Sequence, residues 1–193
     1  MKIYLIRHGQ TTGDIEERYG GDYDDHLTET GKRQAENLAR ELADFNIEKI
    51  FCSPLIRARE TAEIIKQKIR CKIEIVEDLR ERNRFGIFTG MKILEAKEKS
   101  PNLAEVLKDY RTNIEGGESY TNFEERVEKS FSEILKSKHK TIAVVTHAGP
   151  IKVIFFKILK AGTVKIKDCG FAELERFNGK LKALQLNGVR FEK

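Results

Sequence analysis

The stretch Ile3-Tyr4-Leu5-Ile6-Arg7-His8-Gly9-Gln10-Thr11 decides how this chain folds and where its chemistry lies. An apolar, β-rich run ends here at a cation, an imidazole and a glycine. Glycine weakens the interior of a strand, so the strand should end before Gly9, and glycine also lets the backbone pass close to a ligand. Because ligands of open α/β sheets bind beyond the carboxyl ends of the strands, we expect Arg7 and His8 to face a pocket.

Strands and helices alternate along the chain that follows. Further strands are predicted over residues 47–52, 73–76 and 142–145, and helices over 31–43, 55–68 and 151–159. This alternation predicts a parallel sheet with right-handed crossovers. Two final strands, 171–176 and 181–186, are joined across Asn178-Gly179, a strong hairpin signal. The predicted fold class is therefore three-layer α/β: a mostly parallel sheet flanked by helices, with an antiparallel C-terminal edge hairpin.

The segment from about 86 to 140 is a mainly helical insertion that we expect to cover the site. Candidate helices span 93–99, 103–110 and 123–135. Either Ser119 or Thr121 is expected to cap the last of them, since Thr121-x-x-Glu124 fits a capping box. A chain of this length can bury roughly 70% of its unfolded surface, so we expect residues 1–193 to form one domain.

Composition excludes several classes of protein. Hydrophobic residues make up 39% and charged residues 35% of the chain, a balance typical of a folded globular protein. No apolar run approaches the roughly 20 residues of a membrane span, and residues 1–15 lack the basic-then-apolar pattern of a signal peptide. We expect a cytoplasmic protein that does not bind membranes.

The net charge of +5 indicates an anionic partner. The basic residues are interleaved with Asp and Glu and form no basic tail or aromatic-studded stripe of the kind that binds nucleic acid. A small anionic substrate is therefore favoured over DNA or RNA. Three cysteines at irregular spacings indicate neither disulfides nor a zinc site, and we expect no metal and no other cofactor. No feature of the sequence indicates an oligomeric state.

Five side chains near the predicted strand ends support phosphoryl transfer. Arg7 and His8 follow the first strand, and Arg57, Glu81 and His147 follow the others. This chemistry needs a nucleophile, positive charge around the phosphoryl oxygens and a proton for the leaving alcohol. We assign His8 as the nucleophile and Arg7 and Arg57 as phosphate ligands. His147, at the start of a helix, is expected to donate to the phosphoryl group together with backbone N–H groups.

Further motifs follow the first in a fixed order along the chain. They are residues 27–35 (LTETGKRQA), 53–61 (SPLIRARET), 79–86 (LRERNRFG), 116–119 (GGES) and 146–149 (THAG). With Arg7-His8-Gly9, these pieces resemble the histidine phosphatase superfamily, the phosphoglycerate mutase-like proteins. The resemblance implies an enzyme in which the tele nitrogen of His8 carries the phosphoryl group, and the lack of a metal-ligand cluster in the sequence predicts that it is metal-independent. It also selects Glu81 as the general acid, where the pattern alone leaves Glu77 and Asp78 open.

The resemblance also implies which residues bind the substrate. They are Arg7, Thr11, Gly20, Gly21, Arg57, Arg82, His147 and Ala148. Asp14 departs from the family pattern, because most relatives carry Asn there. A carboxylate at this position would repel a phosphate unless it is protonated, turned away or paired, for example with Arg18.

Three functions are compatible with these residues. The favoured one is a phosphomonoester hydrolase that acts through a phosphohistidine on a small phosphorylated metabolite. A 2,3-bisphosphoglycerate-dependent phosphoglycerate mutase must exclude water and hold a bisphosphate, which in relatives involves a larger, more basic insertion and a longer tail. A non-catalytic phosphate-binding scaffold would typically lack the nucleophile or an arginine, whereas His8, Arg7 and Arg57 are all present.

Overall fold

Six strands form one mixed sheet in the computed structural model, which describes residues 1–192. The strands are β1 (Lys2–Arg7), β2 (Lys49–Cys52), β3 (Lys72–Ile75), β4 (Thr141–Thr146), β5 (Val164–Phe177) and β6 (Lys180–Phe191). Their order across the sheet is β3-β2-β4-β1-β5-β6. The first four strands are parallel to one another, while β5 is antiparallel to both β1 and β6. The predicted α/β class with an antiparallel C-terminal edge is confirmed.

Helices occupy the crossovers and the insertion. They are α1 (Thr12–Ile15), α2 (Glu29–Glu41), α3 (Ile56–Ile69), α4 (Ile93–Lys99), α5 (Leu103–Val106), α6 (Tyr120–Ile134) and α7 (Ala148–Val153). A π-helical turn, Ile154–Ile158, continues α7. Short 3₁₀ turns lie at Leu42–Asp44, Glu77–Leu79 and Gly86–Phe88. Among residues 1–192, no helix is both long and apolar enough to cross a membrane.

Successive residues of β1 face opposite sides of the sheet, and this alternation builds two cores. Ile3 and Leu5 pack with side chains of α6 and α7. Tyr4 and Ile6 pack with side chains of α2 and α3 on the other face. Because both faces are covered, the strand is apolar throughout and not only at every second position. The sheet therefore lies between two helical layers, as predicted.

The structure corrects one detail of the predicted insertion and decides between the two alternatives in another. The helix expected to reach residue 110 ends at Val106. Beyond its end, the carbonyl of Asp109 accepts a hydrogen bond from Arg84 at 3.2 Å. At the start of α6, Ser119 is the cap, since its hydroxyl accepts from the backbone N–H of Asn122 at 3.1 Å. Thr121 lies inside the helix, so the alternative capping box does not form.

The C-terminal hairpin is longer than predicted and extends past the rest of the sheet. Asn178 and Gly179 have φ values of 48° and 76°, as a two-residue hairpin turn of the favoured twist requires. Strand β1 pairs with β5 only over residues 171–175. The first part of β5 and the facing end of β6, where Ile166 lies opposite Val189, therefore project beyond the carboxyl end of β1.

Candidate active site

His8 follows β1 in a buried position, with 6% of its surface exposed. Its Nδ1 lies 2.8 Å from the carbonyl oxygen of Gly9. A carbonyl oxygen only accepts hydrogen bonds, so we assign the ring proton to Nδ1 and the lone pair to Nε2. Burial, and then the charges of Arg57 and Arg7, hold the pKa of His8 well below its usual range. His8 is therefore neutral near physiological pH, with its free lone pair on Nε2.

His147 follows β4 and is fully buried. Its ring centre lies 5.0 Å from that of His8. Its Nε2 lies 2.7 Å from Ser53 Oγ, and its Nδ1 is buried without a hydrogen-bond partner among residues 1–192. Burial, and then the charge of Arg57, hold the pKa of His147 well below its usual range. When the Ser53 hydroxyl donates to Nε2, the neutral ring keeps an unused N–H at Nδ1.

Arg57, in the first turn of α3, is fixed by the loop that precedes α2. Its Nη1 donates to the Tyr23 carbonyl at 2.7 Å and to Asp25 Oδ1 at 2.8 Å, and its Nη2 donates to the Gly21 carbonyl at 2.7 Å. The side chains of Arg57 and Asp25 are 5% and 7% exposed. A guanidinium group carries five N–H donors, so Arg57 retains donors for an anion after these bonds are made.

Arg7, at the end of β1, is anchored to the projecting part of β5. Its Nη1 donates to the Ile166 carbonyl at 2.8 Å, and its Nη2 pairs with Asp168 at 3.0 Å. Its Nε is buried without a hydrogen-bond partner in the described part of the chain. Burial raises the pKa of Asp168, and the charge of Arg7 opposes that rise. Arg7 is thus held in place while its Nε–H stays available to a ligand.

Glu81 lies in the segment after β3, and both of its oxygens accept hydrogen bonds from the backbone. Oε1 accepts from the N–H of Arg82 and Oε2 from the N–H of Gly149, each at 2.9 Å. One backbone N–H at the start of α7, that of Gly149, therefore binds Glu81, and the contact of backbone N–H groups with a phosphoryl group stays a prediction. A Cβ on Gly149 would lie 2.0 Å from Glu81 Oε1, so the approach of α7 to this carboxylate requires glycine.

These side chains surround a cavity of about 140 Å³, which we call the central cavity. The predicted residues on its wall are Arg7, His8, Thr11, Gly20, Gly21, Arg57 and Glu81. His147 is not among the residues on that wall, but its ring contacts that of His8. Ala148 lies instead on the wall of a second, larger cavity that shares Arg7. Within residues 1–192, no group of three or more His, Cys, Asp or Glu side chains is placed to hold a metal ion.

The structure corrects the predicted role of Arg82 in substrate binding. This residue is 1% exposed, and its guanidinium group donates to the carbonyls of Glu118 at 3.0 Å, Tyr110 at 2.6 Å and Thr112 at 3.1 Å. These bonds occupy all three of its nitrogen atoms. Arg82 therefore ties the insertion to the segment that carries Glu81.

Asp14 is turned toward Thr11, the N-cap of α1, and completes a capping box with it. Its Oδ2 accepts from the Thr11 backbone N–H at 2.8 Å and from the Thr11 hydroxyl at 2.9 Å. Arg18 pairs with Glu16 at 2.6 Å, so the suggested pair between Asp14 and Arg18 is wrong. Because the Thr11 hydroxyl donates to Asp14, its proton is not available to a substrate in this structure.

Close approach by the backbone explains the glycine after His8. A Cβ on Gly9 would lie 2.7 Å from the carbonyl oxygen of Gly31 in α2, and a Cβ on Gly31 would lie 2.1 Å from the carbonyl oxygen of Gln10. The sequence predicted that a ligand would approach the backbone at Gly9. The group that approaches Gly9 here is a helix of the same chain.

Sequence reasoning missed the counter-ions of both arginines. Asp25 pairs with Arg57 and Asp168 pairs with Arg7. Asp25 is one of several acidic residues in a polar loop, and Asp168 follows a lysine-rich strand start. Neither pattern distinguishes a buried counter-ion from a solvated surface carboxylate.

Sequence reasoning also missed Arg126 of α6, which positions the segment that carries Glu81. Its guanidinium group donates to the carbonyls of Asp78 at 2.7 Å, Arg80 at 2.9 Å and Glu81 at 3.1 Å. It also pairs with Glu118 at 2.6 Å. Arg126 lies on a charge-rich helix, where its spacing resembles that of the exposed charges.

Comparison with known proteins agrees with this geometry. The model of the histidine phosphatase superfamily, branch 1, matches residues 3–188. Phosphoserine phosphatase 1 of Hydrogenobacter thermophilus is 33% identical over 165 residues, which cover 82% of this chain and 76% of that protein. The metal-independent phosphoserine phosphatase of Arabidopsis thaliana is 32% identical over 170 residues, which cover 84% of this chain and 70% of that protein.

Solved structures share the fold along the chain. The alpha-ribazole phosphatase of Shigella flexneri superimposes with a TM-score of 0.85 at 23% sequence identity. The match covers 97% of this chain and 96% of that one. At this identity, the comparison supports the architecture of the sheet and its helical layers.

Proposed function

The chain belongs to branch 1 of the histidine phosphatase superfamily, and we propose that it hydrolyses small phosphomonoesters through a phosphohistidine on Nε2 of His8. The observation that carries this proposal is the hydrogen bond of 2.8 Å between His8 Nδ1 and the Gly9 carbonyl. It assigns the lone pair of a neutral, buried imidazole to Nε2, the tele nitrogen. The similarity to two proteins named phosphoserine phosphatases supports the reaction class.

In the first step, His8 Nε2 attacks phosphorus and the bond from phosphorus to the ester oxygen breaks. The unused N–H groups of Arg7 and His147, with the remaining donors of Arg57, stabilise the charge on the phosphoryl oxygens. Glu81 acts as the general acid in this step and gives a proton to the departing alkoxide. The products are a neutral alcohol, a phosphohistidine and the Glu81 carboxylate.

In the second step, water replaces the alcohol and Glu81 acts as a base. The Glu81 carboxylate takes a proton from the water as its oxygen attacks phosphorus, and the bond from phosphorus to Nε2 breaks. Inorganic phosphate leaves, and His8 and Glu81 return to their starting protonation states. The proposed cycle consumes one water and uses no metal ion.

Replacement of His8 with Ala tests the nucleophile. Wild-type protein mixed with a ³²P-labelled phosphoester and quenched in denaturant should carry acid-labile, base-stable label on one histidine, while His8→Ala should neither be labelled nor turn over. His26→Ala is the matched control, because His26 is 65% exposed and pairs with Glu60 at the surface. A His8→Ala variant that is active and labelled would contradict the assignment.

The same assay separates hydrolase from mutase. The panel contains phosphoserine, sugar phosphates, p-nitrophenyl phosphate and 3-phosphoglycerate with 2,3-bisphosphoglycerate. We expect release of inorganic phosphate to be the dominant reaction. Isomerisation of 3-phosphoglycerate that outpaced every hydrolysis would replace this proposal with the mutase. Folded protein that binds phosphate without any turnover or label would indicate a scaffold.

A further inference from the structure

A second cavity of about 920 Å³ lies beside the central cavity, between α7 and the projecting ends of β5 and β6. We call it the basic groove, and it is defined by Arg7, Lys152, Lys165, Lys167, Asp168 and Arg190. Arg7 lies on the wall of both cavities. A ligand whose phosphoryl group occupies the central cavity therefore has the basic groove next to it.

Positive charge in the basic groove exceeds the negative charge available to balance it. Asp168 is already paired with Arg7 at 3.0 Å. A single carboxylate, Glu192, is shared between Lys152 at 3.3 Å and Lys165 at 3.5 Å. Within residues 1–192, Lys167 and Arg190 are exposed and have no ion-pair partner. Like charges gathered around one cavity repel one another, and an anionic ligand would relieve that repulsion.

The two cavities also differ in size, so each would hold a different part of a substrate. The central cavity, at about 140 Å³, has room for little more than the reacting group. The basic groove, at about 920 Å³, is as large as the sites that hold whole metabolites. Ile166, Val189 and Ala148 add apolar surface to its wall, which suits the carbon skeleton of a leaving group.

We propose that the basic groove binds a second phosphate group on the leaving group, so that the preferred substrates are small bisphosphorylated molecules. Lys167 and Arg190 are the specificity-determining residues, because their donors are free to bind a dianion and a guanidinium group binds phosphate in a paired geometry. This inference rests on the proposed function of the central cavity. It assigns substrate choice to the C-terminal hairpin and not to the helical insertion.

Matched pairs of substrates test the basic groove. The pairs are glucose 6-phosphate with glucose 1,6-bisphosphate, and adenosine 5′-monophosphate with adenosine 3′,5′-bisphosphate. We expect kcat/KM in at least one pair to favour the bisphosphate by about tenfold or more, the effect of one charge-assisted hydrogen bond. In the double variant Lys167→Gln/Arg190→Gln that ratio should fall to about one. Equal kcat/KM within both pairs for the wild-type protein would overturn the inference.

Two further variants make the test specific. Lys138→Gln/Lys180→Gln removes the same amount of charge from exposed positions at the opposite end of the sheet, and it should keep the wild-type ratio. Glu192→Gln frees Lys152 and Lys165 from their shared carboxylate and should raise the ratio. If the control variant also showed a kcat/KM ratio of about one, the preference for bisphosphates would be an effect of net charge. That result would overturn the assignment of Lys167 and Arg190.

Binding to the inactive His8→Ala variant separates this inference from the proposed function. Titration calorimetry with each mono- and bisphosphate pair measures the basic groove without turnover. If no phosphoester is hydrolysed by the wild-type protein, the proposed function fails, while tighter bisphosphate binding that depends on Lys167 and Arg190 still supports the groove. Equal affinity for both members of each pair would refute the groove even in an active phosphatase.

Discussion

Replacing Asp25 with Asn should destabilise the protein markedly, because it leaves the buried Arg57 guanidinium without its counter-ion. The two side chains are 7% and 5% exposed and lie 2.8 Å apart. Removing one partner of a buried ion pair costs roughly 3–5 kcal/mol. Because Asn keeps an oxygen that accepts a hydrogen bond, we expect a loss at the lower end of this range, about 3 kcal/mol. For a chain of this length that loss corresponds to a fall in Tm of about 6–12 °C.

The assay is unfolding by urea and by heat, followed by circular dichroism. Asp24→Asn is the matched control in the same loop, because Asp24 accepts a hydrogen bond from the Ile56 N–H at 2.9 Å and does not pair with Arg57. Asn and Asp are equally good at such capping positions. The control should therefore change the free energy of unfolding by less than about 0.5 kcal/mol.

Inorganic phosphate supplies the second arm of this experiment. A ligand that binds only the folded state stabilises it in proportion to the logarithm of its concentration over Kd. In Asp25→Asn, phosphate replaces the missing negative charge beside Arg57, so it should raise the Tm of the variant more than that of the wild-type protein. A loss below about 1 kcal/mol, or an equal response of both proteins to phosphate, would refute the view that Asp25 neutralises Arg57.

Three other perturbations have definite expected outcomes. The folded protein holds the pKa of His8 and His147 well below the usual range, so the unfolded chain binds more protons below about pH 6.5. The free energy of unfolding should therefore fall as pH drops through that value, by up to about 1.4 kcal/mol per pH unit for each histidine. Urea midpoints that stay constant down to about pH 5 would contradict the lowered pKa of the two histidines. Gly149→Ala should displace Glu81, because the added Cβ would lie 2.0 Å from its Oε1. Turnover of alkyl phosphates should then fall by about 100-fold. As an internal control, turnover of p-nitrophenyl phosphate should fall much less, because its leaving group needs no proton. Dialysis against EDTA should leave phosphatase activity intact, since the proposed steps use only protein groups; activity lost to EDTA and restored by one divalent ion would disprove metal independence.

Much of the fold could be predicted because its determinants are local. The apolar runs, the glycine after His8 and the Asn178-Gly179 turn each encode their structure within a few residues. Parallel strands then bring their carboxyl ends to one edge whatever the details of packing. This is why the order of residues along the chain was enough to predict that Arg7, His8 and Arg57 lie around one cavity.

The amino-acid sequence by itself thus determined the class of fold, the order of its strands along the chain and the residue types available for phosphoryl transfer. Only the tertiary structure decided what each arginine does. Arg57 pairs with a carboxylate 32 residues away in the chain, and Arg7 donates to a carbonyl 159 residues away. Arg82 donates to backbone carbonyls of the insertion. Hydrogen-bond partners at such separations leave no periodic trace in the chain, because they are chosen by which segments pack together once the apolar faces are buried.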